Sequence, residues 1–163
     1  MWYALQCEKG QEEYCLQICK SQINRAILQD AYWLTYEKMR KYEGSWHMEK
    51  ENLFPGYIIL VSDNAEILRQ EIESLPIKEK VFRVVSEEEQ RFIQNLCGQS
   101  KHLAMSKGVI HGGVTRVTEG PLVGREALFR KIDRHKRLVF LFNPDTVLGS
   151  DVKVGLEIVE KKE

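Results

Sequence analysis

The stretch Gly113-Val114-Thr115-Arg116-Val117-Thr118-Glu119-Gly120-Pro121-Leu122-Val123-Gly124 decides how the chain is read. It sets a short β-branched run between Gly112-Gly113 on one side and Gly120-Pro121 and Gly124 on the other. Runs of this kind, closed at both ends by glycine and proline, are strands joined by tight turns. Further turn signals follow at Asp133-Arg134-His135-Lys136, Asn143-Pro144-Asp145, Gly149-Ser150-Asp151 and Gly155. Their spacing describes about five short strands in a small all-β barrel, spanning 108–163.

Upstream the texture changes. Residues 99–107 are polar and without a clear period, and read as a linker. Residues 1–98 mix strands and helices in the order β-α-β-β-α-β-α. Trp2 to Cys7 opens as a strand, and Gln11 to Asn24 follows as an amphipathic helix with Tyr14, Ile18 and the Cys15/Cys19 pair turned inward. Ala31 to Tyr42 alternates as a half-buried strand. Glu43 to Glu51 is a polar loop, and Asn52 to Val61 is a second strand. Asp63-x-x-Glu66 and Ser86-x-x-Glu89 read as capping boxes opening two helices, with the short strand Lys80 to Val85 between them. The expected architecture is an α+β domain, an antiparallel sheet packed with helices, followed by the small barrel.

Composition narrows the function classes. Charged residues are 29% and hydrophobic ones 43%, as in soluble globular proteins. No apolar run approaches the ~20 residues that cross a bilayer, and the N-terminus lacks the pattern of a signal peptide. A cytoplasmic protein is expected. The zero net charge hides an asymmetry: residues 1–100 hold 12 Lys and Arg against 16 Asp and Glu, and residues 101–163 hold 12 against 8. The second part is therefore basic by four charges, which suits a polyanion. Cys7, Cys15, Cys19 and Cys97 have no metal-site or redox-motif spacing and are expected as free thiols. His47, His102, His111 and His135 share no spacing with Cys or Asp, and the chain has no nucleophile elbow, phosphate loop or zinc helix. Neither enzyme chemistry nor a metal or other cofactor is expected.

With these residues in view, the chain resembles the NusG family of bacterial transcription elongation factors. The resemblance begins at Trp2-Tyr3-Ala4-Leu5-Gln6 and is strongest at Leu53-Phe54-Pro55-Gly56-Tyr57-Ile58, which is similar to the family's FPGY-type strand. In the second part, Gly113-Val114-x-x-Val117-x-x-Gly120-Pro121-x-x-Gly124 with Ile132-Asp133 resembles a KOW motif. Ala127 stands where KOW domains usually have a second glycine, so the backbone there must suit alanine. The segments Arg40-Lys41-Tyr42-Glu43-Gly44-x-Trp46, Met105 to Ile110 and Lys131 to Arg137 resemble the LoaP subgroup of antiterminators, which an RNA hairpin helps to recruit.

The resemblance implies a monomer that binds RNA polymerase through its N-terminal domain, on the coiled-coil clamp helices of the largest subunit, and reaches RNA through its KOW barrel. Three groups of residues fit these roles. Trp2, Tyr3, Phe54 and Tyr57 are the candidate polymerase anchors. Strand alternation makes one of Trp2 and Tyr3 a core residue, and Tyr3 and Phe54 are the expected exposed anchors. Lys38, Arg40, Lys41, Trp46 and His47 surround a loop that, by the resemblance, faces the non-template DNA strand; cations beside an indole can meet phosphates and stack a base. Arg130, Lys131, Arg134, His135, Lys136 and Arg137 place five permanent cations within eight positions, with Asp133 the only acid. That clustering suits phosphate neutralisation on a nascent RNA hairpin, with Asp133 capping the turn. The competing readings are a general NusG-type factor, a free-standing KOW protein on RNA or the ribosome, and, remotely, a thiol enzyme.

Overall fold

The computed structural model describes residues 1–143, 147–149 and 151–163. Parts of two expected turns, Asn143-Pro144-Asp145 and Gly149-Ser150-Asp151, therefore lie outside the described residues. The order of elements is β1 (Trp2–Gln6), α1 (Glu12–Gln22), β2 (Asp30–Tyr32), β3 (Thr35–Tyr42), β4 (Ser45–Asn52), β5 (Tyr57–Val61), α2 (Ala65–Glu73), β6 (Phe82–Val84), α3 (Glu87–Cys97), β7 (His102–Leu103), β8 (Ser106–His111), β9 (Val114–Glu119), a short 3-10 turn (Glu126–Leu128), β10 (Phe129–Asp133), β11 (Leu138–Phe142) and β12 (Asp151–Lys162).

Two sheets form the first part. One runs β2-β5-β1-β6, all antiparallel, and the other runs β4-β3-β7. The first sheet is covered on both faces. Tyr3, Leu5, Ile58 and Leu60 meet Cys15, Cys19, Leu68 and Ile72 from α1 and α2 on one side. Trp2, Ala4 and Ile59 meet Ile93 and Leu96 from α3 on the other. Alternation along β1 thus sends neighbouring side chains into two separate cores.

Several local expectations are corrected. Ala31 to Tyr42 is not one strand: it divides after Tyr32, and β2 and β3 belong to different sheets. The polar stretch 43–51 is no open loop. Glu43 and Gly44, at φ 52° and 77°, make a two-residue turn, and β4 returns along β3 in full register. Positive φ at both turn residues matches the twist of a tight hairpin. The FPGY segment is a turn before β5, with Tyr57 N–H donating to the Phe54 carbonyl at 3.1 Å. Proline fixes the first corner and Gly56, at φ 88°, takes the second. Tyr14 is exposed, and the buried stripe of α1 is Glu12, Cys15 and Cys19. The Glu12 carboxylate accepts from Asn52 Nδ2 at 2.8 Å and so ties α1 to the approach of that turn. The first helix cap is Asn64, which accepts from Ile67 N–H, rather than Asp63.

The second part is a five-stranded sheet in the order β10-β11-β12-β8-β9. Its long strand β12 pairs antiparallel with β11 through Gly155 and parallel with β8 from Leu156 onward. Gly112 and Gly113, at φ 58° and 78°, turn β8 into β9. Ala127 sits in the 3-10 turn, a conformation open to alanine.

Residues 99–107 are not a bare tether. Within them β7 pairs with β3, and Met105 N–H donates to Glu37 Oε2 at 2.8 Å. The segment is anchored on β3 of the first part. One apolar cluster runs without a break from Trp2, Tyr36, Phe54 and Ile93 to Leu122, Leu138, Leu148 and Val154.

Candidate functional site

Three of the four candidate polymerase anchors are covered. Tyr3 is 2% exposed, and its ring stacks on Phe82 at 4.9 Å inside the core beneath α1 and α2. Phe54 is 3% exposed and Trp2 5%. The expectation of Tyr3 and Phe54 as open anchors is therefore corrected. Tyr3 and Trp2 are both interior because both faces of the sheet are covered. Phe54 belongs to a cluster that also holds residues of the second part, distant in sequence from any local pattern. Tyr57 is half-buried against the same cluster.

Two polar contacts fasten that cover to α3. Arg125 Nη2 donates to the Asn95 carbonyl at 2.8 Å. The buried Glu89 carboxylate accepts from Asn143 Nδ2 at 2.9 Å and from the backbone N–H groups of Val147 and Leu148. Ser86 caps α3 as expected, accepting from Glu89 N–H at 3.1 Å. The Glu89 side chain, however, is directed at the second part. At the opposite end β12 approaches β3 so closely that a Cβ at Gly155 would stand 2.6 Å from the Glu37 carbonyl oxygen and against Met105 Sδ. Sequence reading missed the tertiary contacts of Glu89, Arg125 and Gly155, because each meets its partner far along the chain.

The β3–β4 hairpin divides its candidate residues between two faces. Lys41 lies opposite Trp46, and Arg40 opposite His47, so the two pairs point to opposite sides. On one side Tyr42 stacks on His47 at 3.8 Å, with Arg40 beside it and paired to Glu49 at 3.8 Å. Lys38 reaches Glu51 at 4.0 Å. On the other side Lys41 lies 6.0 Å from the Trp46 ring.

The basic turn between β10 and β11 is closed as its sequence implies. Asp133 Oδ1 accepts from Lys136 N–H at 3.0 Å, and Arg137 takes φ 55°. Its charges do not all fan outward. Arg130 pairs with Asp151 at 3.2 Å, and Arg137 with Glu157 at 3.6 Å. The Arg137 guanidinium also covers the Trp46 ring at 3.9 Å. Lys131, Arg134, His135 and Lys136 remain exposed. The structure thus joins one face of the hairpin to the turn and leaves the Arg40–His47 face apart.

All four cysteines are free and buried. Burial pushes the Cys19 thiol up to about 12 and Cys97 to about 11, and raises Cys7 still further. Such thiols are poor nucleophiles. Among the described residues no group of three His, Cys, Asp or Glu is placed to hold a metal ion, and no helix is long and apolar enough to cross a membrane.

No protein-family model matches the chain, and no curated protein sequence matches it. Solved structures do. One, described as domain interaction in Thermotoga maritima NusG, aligns over 96% of this chain and 93% of that one, at 20% identity and a TM-score of 0.51. A looser likeness is to the MjSpt4:Spt5 complex, conformation A, over 95% and 93% of the two chains, at 15% identity and a TM-score of 0.36. The fold of this chain, taken over nearly its whole length, is the fold of NusG.

Proposed function

We propose that the chain is a NusG-type transcription elongation factor, specialised as an antiterminator of the LoaP kind. The observation that carries this reading is the NusG fold extending over 96% of the chain. The FPGY turn and the Gly113 to Gly124 segment support the reading by their resemblance to the family's motifs.

In this reading the first part, 1–98, binds the clamp helices of RNA polymerase. Residues 99–107 connect it to a KOW barrel, 108–163, that takes nascent RNA through the turn between β10 and β11. Phe54, which shares one apolar cluster with the barrel, contacts polymerase after the barrel lifts away, whereas Trp2 lies under α3 and stays in the core. Tyr57 lies beside them, and Arg40 and His47 are left to meet non-template DNA. The factor works without chemistry or cofactor, as a cytoplasmic monomer. By binding the closed clamp better than the open one, it makes pausing and hairpin-dependent release rarer.

Co-purification tests the reading: a tagged chain should retain core RNA polymerase and not ribosomes. Retention of ribosomes alone would favour a free-standing KOW protein instead.

A further inference from the structure

We propose that Trp46 and Lys41 of the first part and Arg134, Lys136 and Arg137 of the second form one composite surface for a single-stranded stretch of nucleic acid, complete only while the two parts are docked. This rests on the RNA reading above and deepens it, since there the barrel turn acts alone.

The placement comes from the contact between Arg137 and Trp46. The guanidinium lies 3.9 Å over the indole, and Lys41 stands 6.0 Å from the same ring. Trp46 is half-buried, held by cations from both parts of the chain. Arg137 is itself fixed by Glu157 at 3.6 Å and by the hydrogen bond from Leu156 N–H to its carbonyl at 2.9 Å. Arg134 and Lys136 project from the same four-residue turn, exposed and, among the described residues, outside any ion pair. Lys41 is likewise exposed and unpaired among the described residues.

Cations spaced around an aromatic ring suit a single strand rather than a duplex. Phosphates are met by Lys41, Arg134 and Lys136, and an unstacked base can lie against the Trp46 and Arg137 edge. A fully paired helix offers no free base face for that stack. A protein partner is less well served, because free cations crowd around a single indole there. Linkage follows: a ligand that needs both parts stabilises their docking, docking raises its affinity in equal measure, and both oppose the lifting that frees Phe54 for polymerase.

Fluorescence anisotropy with the full chain tests the surface. The probes are an RNA stem-loop with an unpaired loop, the loop sequence as single-stranded DNA, and a fully paired RNA duplex. The parent should prefer the stem-loop or the DNA strand over the duplex. Trp46→Ala should weaken loop binding by about tenfold, the loss of one stacked base. Because Trp46→Ala also loosens docking, Lys41→Ala serves as the second variant. Lys41→Ala and Lys136→Ala should each flatten the salt dependence by roughly 0.7 units of log K per log salt. Stronger binding of RNA than of the DNA strand assigns the ligand to RNA, and the reverse assigns it to single-stranded DNA. If Lys136→Ala weakens binding while Lys41→Ala and Trp46→Ala bind like the parent, the composite surface is overturned and the turn acts alone. If the parent binds none of the probes, the RNA reading falls as well, and a protein partner takes its place.

Discussion

Glu89, with no exposed surface in the first turn of α3, accepts a hydrogen bond at 2.9 Å from Asn143, fifty-four residues further along the chain. The same carboxylate takes the N–H groups of Val147 and Leu148. A buried acceptor met by several donors is expensive to lose, because each donor is then left dry.

Glu89→Ala should therefore undock the two parts without unfolding either. The docked state should lose about 2–4 kcal/mol. Amide exchange should rise at residues 147–149 and around Leu122. Exchange equal to the parent's throughout would show that Glu89 does not hold the parts together.

Gly155→Ala acts on the opposite end of the same contact. The new Cβ meets the Glu37 carbonyl and Met105, and neither carbonyl nor strand can move without shifting β3. Destabilisation of about 1–3 kcal/mol is expected, read as a lower urea midpoint. A midpoint equal to the parent's would mean that β3 and β12 lie further apart in solution.

Phe54 joins stability to binding. Phe54→Ala removes a ring from the continuous cluster and should cost roughly 3–5 kcal/mol, while polymerase retention falls. Glu89→Ala, which loosens the second part from α3, should raise retention. Equal retention by the parent and both variants would place the polymerase contact on another face.

Asp30 gives a pH signature. Burial by itself would raise its carboxyl, but the Lys101 ammonium at 2.7 Å and the Ala31 N–H hold it below the usual carboxylate range. The stabilisation is complete above the unfolded carboxyl's value of about 4 and is lost as pH falls through the lower folded value. Both side chains are well exposed, at 45% and 40%, so the effect is small, within about 1 kcal/mol. Asp30→Asn should lower stability at neutral pH by that amount and remove this part of the acid dependence. A parallel pH curve for parent and variant would show that the pair contributes nothing.

The sequence was legible wherever the signal was local. Ser86 caps α3, Gly112-Gly113 turns β8 into β9, Asp133 caps the basic turn, and the opening strand falls at Trp2, all readable within a few residues. The signal failed where tertiary packing decided. Glu89 looked like half of a capping box, because nothing within four residues shows that its carboxylate reaches Asn143. Tyr3 looked like a surface aromatic, because a strand pattern cannot say that both faces of its sheet are covered, and Phe54, in the turn before β5, because its cluster is assembled from distant residues. The Ala31 to Tyr42 alternation hid a change of sheet, since alternation continues smoothly across the break. Trp46 and Arg137 were each singled out, but their contact could not be read from either neighbourhood.

Single-round transcription across an intrinsic terminator, on templates with and without an upstream leader hairpin, tests the proposed role most directly. Added protein should raise read-through on the template that carries the hairpin and leave the other unchanged. Unchanged read-through on both, with a folded protein shown to bind that hairpin, would contradict the role.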